Sequence, residues 1–219
     1  MKPGERKIQV TVGVPAFDHF KAEMAISLIG ALLQFPYALH FCTQRGCYLD
    51  VNREMLLRDA LAAKSDYLVF VDTDLVFRKD ALERLLALDK DIVGANYYEK
   101  RIPLVSTVKP LGPDGKMATD GKLIQGELPA EPFQVAAVAT GLMAINLKRL
   151  TAKWPIGPYF AFGTLGTQFE GEDVGFCRRA REAGLEVWCE PRISVLHMGE
   201  LPFGKLDDMA GLPTQKYDD

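Results

Sequence analysis

In the first hundred residues short β-branched runs alternate with amphipathic stripes, and that alternation restricts the chain to a sheet covered by helices. Ile8 to Val14 is a β-branched run stopped by Pro15, after which Phe20, Met24, Leu28 and Leu32 recur every four residues and predict a helix. Tyr37 to Thr43 predicts a second strand, and Arg53 to Lys64 a helix with Leu57, Ala60 and Leu61 on one face. Tyr67-Leu68-Val69-Phe70-Val71 is apolar on both faces, as a strand covered on each side must be. Asp80 with Glu83 three residues later marks a helix start, Leu82, Leu85 and Leu86 give that helix a core face, and Asp91 to Tyr97 is the next strand. The order is that of an α/β sheet, not of a bundle or a sandwich.

The second half changes character. Pro and Gly become frequent from Pro103 to Pro132, and Pro110-Leu111-Gly112-Pro113-Asp114-Gly115 is turn chemistry that predicts a hairpin excursion. Phe133 to Thr140 and Leu142 to Asn146 read as strands around Gly141, and Trp154 to Gly171 as an aromatic, glycine-rich loop of the kind that covers a site or forms one. A helix over Glu172 to Ala183 ends at Gly184, with Leu185 to Cys189 and Ile193 to His197 as the last strands. The expected organisation is a single domain over 1–219: a first half over 1–97, a second over 98–199, and a flexible or lid-like tail over 200–219.

Charge and cysteine usage exclude several classes. With 26 basic and 29 acidic residues the net charge is −3, against the general grip on phosphate that nucleic-acid binding needs. No apolar run approaches the roughly 20 residues of a membrane-spanning helix, and the start, Met1-Lys2-Pro3-Gly4-Glu5-Arg6-Lys7, does not read as a signal peptide. Cys42, Cys47, Cys177 and Cys189 form no C-x-x-C pair, which suits reduced thiols and a cytoplasmic setting.

Chemistry concentrates at four places. Asp72-Thr73-Asp74 closes the buried apolar strand, and two carboxylates projected from a strand end need a cation or donors between them. A divalent ion such as Mg²⁺ or Mn²⁺ meets that need and leaves positions for phosphate oxygens; a plain acidic turn has the same composition, so the neighbours decide. Glu170-Gly171-Glu172-Asp173 places three acids at a helix N-terminus, more than a cap requires, and one of them can take a proton from an attacking hydroxyl. His197 closes a strand and becomes a metal ligand if Asp72 and Asp74 are its partners. Arg45 and Arg53 flank Gly46 to Asn52, from where a guanidinium reaches a diphosphate or a sugar, although either is equally a solvated arginine.

Taken together, these residues resemble the GT-A fold glycosyltransferases that use nucleotide-sugar donors. The resemblance runs from Val14-Pro15 through Arg53 and Asp72-Thr73-Asp74-Leu75-Val76-Phe77 to Gly171-Glu172-Asp173-Val174-Gly175-Phe176-Cys177-Arg178-Arg179 and Val195-Leu196-His197. It implies a Rossmann-like mixed central sheet flanked by helices, with a loop-rich C-terminal acceptor region. It implies that Asp74, with Asp72, holds Mn²⁺ or Mg²⁺ against the diphosphate of the donor, a UDP-sugar, and that His197 completes the metal site. The Asp72-Thr73-Asp74 motif then meets the donor, Asp72 also touching the ribose, and Pro15 and Ala16 meet the base. Gly171-Glu172-Asp173 looks like the acidic motif of inverting β-galactosyltransferases, which points to Asp173 as the base with Glu172 beside it. Val174 and Gly175 depart from that motif, where further acids are expected.

Gly94-Ala95-Asn96-Tyr97-Tyr98-Glu99-Lys100-Arg101 is also similar to small glycosyltransferases of bacteria and bacteriophages, which act on glycans, proteins or modified DNA bases. The basic pairs Lys100-Arg101, Lys148-Arg149 and Arg178-Arg179 are candidate phosphate contacts for a DNA acceptor, or solvated faces. Two other readings use the same sheet. A sugar-phosphate nucleotidyltransferase is disfavoured because Gly13 to Phe17 lacks a glycine-rich basic phosphate cradle, and a nucleotide-sugar or glycan binding module would bind without turnover. A Rossmann dehydrogenase is weaker still, since no G-x-G-x-x-G follows the first strand.

Overall fold

The computed structural model describes residues 6–118, 128–165, 168–199 and 202–203. Its first half contains β1 (Gln9–Ala16), α1 (Ala22–Leu32), β2 (Ala38–Arg45), α2 (Leu49–Ala62), β3 (Tyr67–Val71), β4 (Leu75–Phe77), α3 (Ala81–Ala87) and β5 (Ile92–Ala95). The second contains β6 (Phe133–Gln134), β7 (Leu142–Asn146), α4 (Leu147–Lys153), β8 (Gly163–Leu165), β9 (Gln168–Glu170), α5 (Glu172–Glu182), β10 (Val187–Glu190), β11 (Val195–Met198) and β12 (Pro202–Phe203).

Seven strands form a mixed sheet in the order β2-β1-β3-β7-β5-β10-β6. β1 is parallel to β2 and β3, and β10 to β5, whereas β7 runs antiparallel between β3 and β5 and β6 antiparallel on β10. The side chains of β3 divide by parity. Leu68 and Phe70 enter a core with Leu56 and Leu57 of α2, Leu150 of α4 and Phe176 of α5, while Val69 and Val71 face Met24 and Leu28 of α1 and Leu82 and Leu85 of α3. Both faces are therefore covered, and the carboxyl ends of the parallel strands share one edge, where α/β sheets place ligands. The second, three-stranded sheet, β12-β11-β4, sets His197 opposite Leu75.

The expected α/β sheet flanked by helices is present, and its details differ from the sequence reading for local reasons. α2 begins at Leu49, earlier than the periodicity indicates, so Arg53 lies inside the helix. β4 and α4 were not expected: the three residues of β4 are too few to display a period, and α4 follows β7 without a break. The stretch from Phe133 narrows to β6 because Ala136 and Ala137 leave the sheet to donate their N–H groups to the carbonyl of Lys109. Asp80 does not cap α3 through its side chain; its backbone is already helical, and its carboxylate faces Arg78 and Arg84. Within the loop from Trp154, β8 and β9 form a hairpin.

The turn and helix-end expectations match. The turn over Pro110 to Gly115 closes with Gly112 donating its N–H to the carbonyl of Lys116, and Gly184 ends α5 at a φ of +85°. All four cysteines are free, and burial pushes the Cys177 and Cys189 thiols up to about 12. Among the described residues no helix is long and apolar enough to cross a membrane. The tail expected over 200–219 lies outside the described residues apart from 202–203.

Candidate active site at the strand ends

Arg53 organises the carboxyl edge of the sheet. Its side chain, 4% exposed, projects from α2 between two carboxylates on separate elements. One terminal nitrogen donates to both oxygens of Asp72, at 3.1 and 3.2 Å, and the other donates to Oε1 of Glu172, which opens α5 and is itself buried. Burial opposes charge on the guanidinium, but Asp72, Glu172 and Asp173 outweigh it and raise its pKa. At Glu172 burial dominates the attraction of Arg53, and Asp173 adds to it, so the carboxyl sits above its ordinary value.

Asp72 is fixed from the backbone side as well. Its N–H donates to the carbonyl of Gly141 at 2.8 Å, and the N–H of Gly141 donates to the hydroxyl of buried Tyr97 at 3.1 Å. A Cβ on Gly141 would strike the Tyr97 hydroxyl and lie 2.8 Å from Oδ2 of Asp72, so only glycine allows β7 to start this close to the acid. Burial, with Asp72 nearby, drives the Tyr97 hydroxyl pKa well up and keeps it neutral.

Asp74 belongs to a different constellation. The turn after β3 carries it into β4, whose partner strand β11 presents His197. Nδ1 of His197 lies 2.9 Å from the carbonyl of Tyr98, which only accepts, so Nδ1 carries a proton. Nε2 faces Oδ2 of Asp74 at 3.5 Å, and Nζ of Lys100 donates to that same oxygen at 2.5 Å. Burial works against ionisation of Asp74, but His197 and Lys100 overcome it and lower its pKa.

The remaining expected residues distribute around these two groups. Asp173, in the first turn of α5, accepts the N–H of Val174 at 2.7 Å and enters no ion pair among the described residues. The carbonyl of Thr73 accepts from the N–H of Lys21 at the start of α1. Pro15 and Ala16 end β1 beside Gln44 and Arg45 of β2, and the exposed Arg45 pairs with Asp18 at 3.2 Å. The structure thus joins Asp72 and Glu172 through Arg53, and Asp74 to His197. It turns Asp72 toward Arg53, and among the described residues no three His, Cys, Asp or Glu side chains gather as a metal cluster.

Tyr97 and Lys109 escaped the sequence reading as site residues, and Lys100 entered it only as half of a basic pair for a DNA phosphate, not as a partner of Asp74. Tyr97 ends the strand expected from Asp91. Lys109 lies in the proline-rich excursion; its ammonium is half-buried, and burial lowers its pKa against the pull of Glu99 and Asp173. Most of the basic pairs are occupied internally: Arg101 by Glu99, Arg149 by Asp89 and Asp91, and Arg178 by Glu170 and Glu182.

No protein-family model matches the sequence, and no curated protein matches it. Among solved structures, A197 from STIV matches with a TM-score of 0.60 at 19% identity, over 88% of this chain and 86% of its own. That likeness shows a shared fold. Below it stand GalNAc-T7, solved with UDP, GalNAc and Mn²⁺ (TM-score 0.49, 12% identity, 89% of this chain and 44% of its own), and the 4-diphosphocytidyl-2C-methyl-D-erythritol synthase of Anaerococcus prevotii (TM-score 0.47, 11% identity, 93% and 95%).

Proposed function

We propose that the chain moves a sugar from a nucleotide-diphosphate sugar, a UDP-sugar, to an acceptor hydroxyl with inversion, using Mn²⁺ or Mg²⁺. The observation that carries this reading is the Asp74–His197 pair. A histidine that donates one ring N–H to a backbone carbonyl and turns its other nitrogen toward a carboxylate has the orientation of a metal ligand with its supporting hydrogen bond. An imidazole nitrogen and a carboxylate oxygen suit a divalent ion whose other positions are filled by water and phosphate oxygens. When bound, the ion neutralises the charge that develops on the leaving diphosphate.

The protein's own residues supply the rest. Asp173 is the base, because Glu172 is tied to Arg53 while Asp173 enters no ion pair among the described residues. As the acceptor oxygen bonds to the anomeric carbon, Asp173 takes the hydroxyl proton and the bond from that carbon to the diphosphate oxygen breaks. Arg53 holds Asp72 and the start of α5 in register, so that the donor end and the base stay at a fixed separation. Pro15, Ala16 and Thr73 line the base and ribose end, and Arg45 stands at its exposed edge.

Calorimetric titration with UDP and GDP, each with Mn²⁺ and with chelator, tests the donor site, and metal-dependent binding of UDP is expected. Asp173→Asn should retain that binding while transfer falls by roughly 10²- to 10⁴-fold, the range of general-base catalysis. Binding that ignores both metal and Asp74→Ala would remove the reading.

A further inference from the structure

The segment from Tyr97 to Lys100 surrounds the Asp74–His197 pair on several sides. The Tyr97 ring packs edge-on against the imidazole at 5.2 Å, the Tyr98 carbonyl accepts from Nδ1, and Lys100 reaches Asp74. Backbone bonds from Glu99 to Val105 and from Thr107 to Tyr97 hold the segment in place, so the Lys100 side chain is its movable part. Lys100 and His197 converge on one atom, Oδ2 of Asp74. An ion bridging Asp74 and His197 would draw on the same oxygen that the ammonium now holds. A divalent cation and an ammonium sharing one carboxylate oxygen repel each other, with the repulsion moderated by the solvent that reaches Lys100.

We propose that Lys100 is the resident counter-charge of Asp74, that it competes with the divalent ion for Oδ2, and that ion entry releases its ammonium to grip the diphosphate. The inference rests on the metal reading above and adds what that reading does not contain. The site is never an uncompensated carboxylate, ion affinity is held down by a built-in competitor, and the displaced charge joins the ion on the same anion. Lys100 is 37% exposed on its side chain, so it can swing outward without disturbing the core.

The test is Mn²⁺ binding to the whole protein without nucleotide, read by electron paramagnetic resonance of the free ion. Lys100→Met should tighten Mn²⁺ binding about tenfold, in line with removing one competing charge-assisted contact. Lys100→Arg, which keeps the charge, should stay within about twofold of the parent. At saturating Mn²⁺, UDP binding to Lys100→Met should weaken by roughly fivefold, opposite in sign to the metal effect. Equal Mn²⁺ affinity in the parent and Lys100→Met, with weaker binding in His197→Ala, overturns the competition and leaves the metal reading standing. Absence of Mn²⁺ binding in both the parent and Lys100→Met overturns both.

Discussion

Asp72 and Asp74 lie two residues apart in one turn with nearly the same side-chain exposure, 24% and 25%, yet their counter-charges differ in kind. The partner of Asp72 is a guanidinium buried in a helix, fixed at its other end by Glu172 and unable to leave. The partners of Asp74 are a histidine on an adjoining strand and a lysine with one end in solvent. A carboxylate whose cation is locked holds elements together, and one whose cation can move is available to a ligand. The chemistry of a D-x-D sequence therefore resides in what each acid is offered, not in the acids alone.

Breaking the locked side should have the largest effect. Arg53→Met leaves Glu172 and Asp72 without their shared cation, and removing one partner of a buried pair costs about 3–5 kcal/mol, readable by chemical denaturation. The next test compares the acids directly. Asp72→Asn should lower stability by about 1–3 kcal/mol by weakening a charge-assisted bond to a buried donor. Asp74→Asn should change it by less than about 1 kcal/mol, because solvent reaching Lys100 screens that pair, while Mn²⁺ binding is lost. Equal destabilisation by the two substitutions would erase the contrast.

Acid titration sharpens the same comparison with the smallest expected effect. The pKa of Glu172 is raised in the folded protein, so its contribution favours folding below the usual 4.5 and fades as pH rises through the raised value. That of Asp74 is lowered, so its contribution is present above the usual 3.8 and is lost as pH falls through the lowered value. The stability difference between parent and Glu172→Gln should therefore vary above pH 4.5, and that between parent and Asp74→Asn only below 3.8. Denaturation at a series of pH values separates the two windows.

The sequence made the first half of the sheet legible because β1, β3 and the stripe of α1 are long enough to show their periods. The acids at 72, 74, 172 and 173 and the histidine at 197 were visible as types at strand and helix ends. The burial of Arg53 was not, since an arginine in a polar helix is exposed by default and only the meeting of α2 with α5 encloses it. Lys100 was equally opaque, because its meaning comes from β4 and β11, one too short to announce itself and the other distant in the chain. The polar edge of a sheet is assembled from many strands, so its residues can be recognised one by one while their pairings cannot.

The antiparallel strand β7 lies between β3 and β5, although it is made long after both. During synthesis the first half of the chain therefore emerges with a gap in the middle of its sheet, and both flanking strands have an open edge facing the void. A nascent chain ending before residue 142 cannot close that edge, and open edges invite pairing with other chains. The carboxyl-end surface of the first-half strands is therefore complete only once β7 has paired with both β3 and β5.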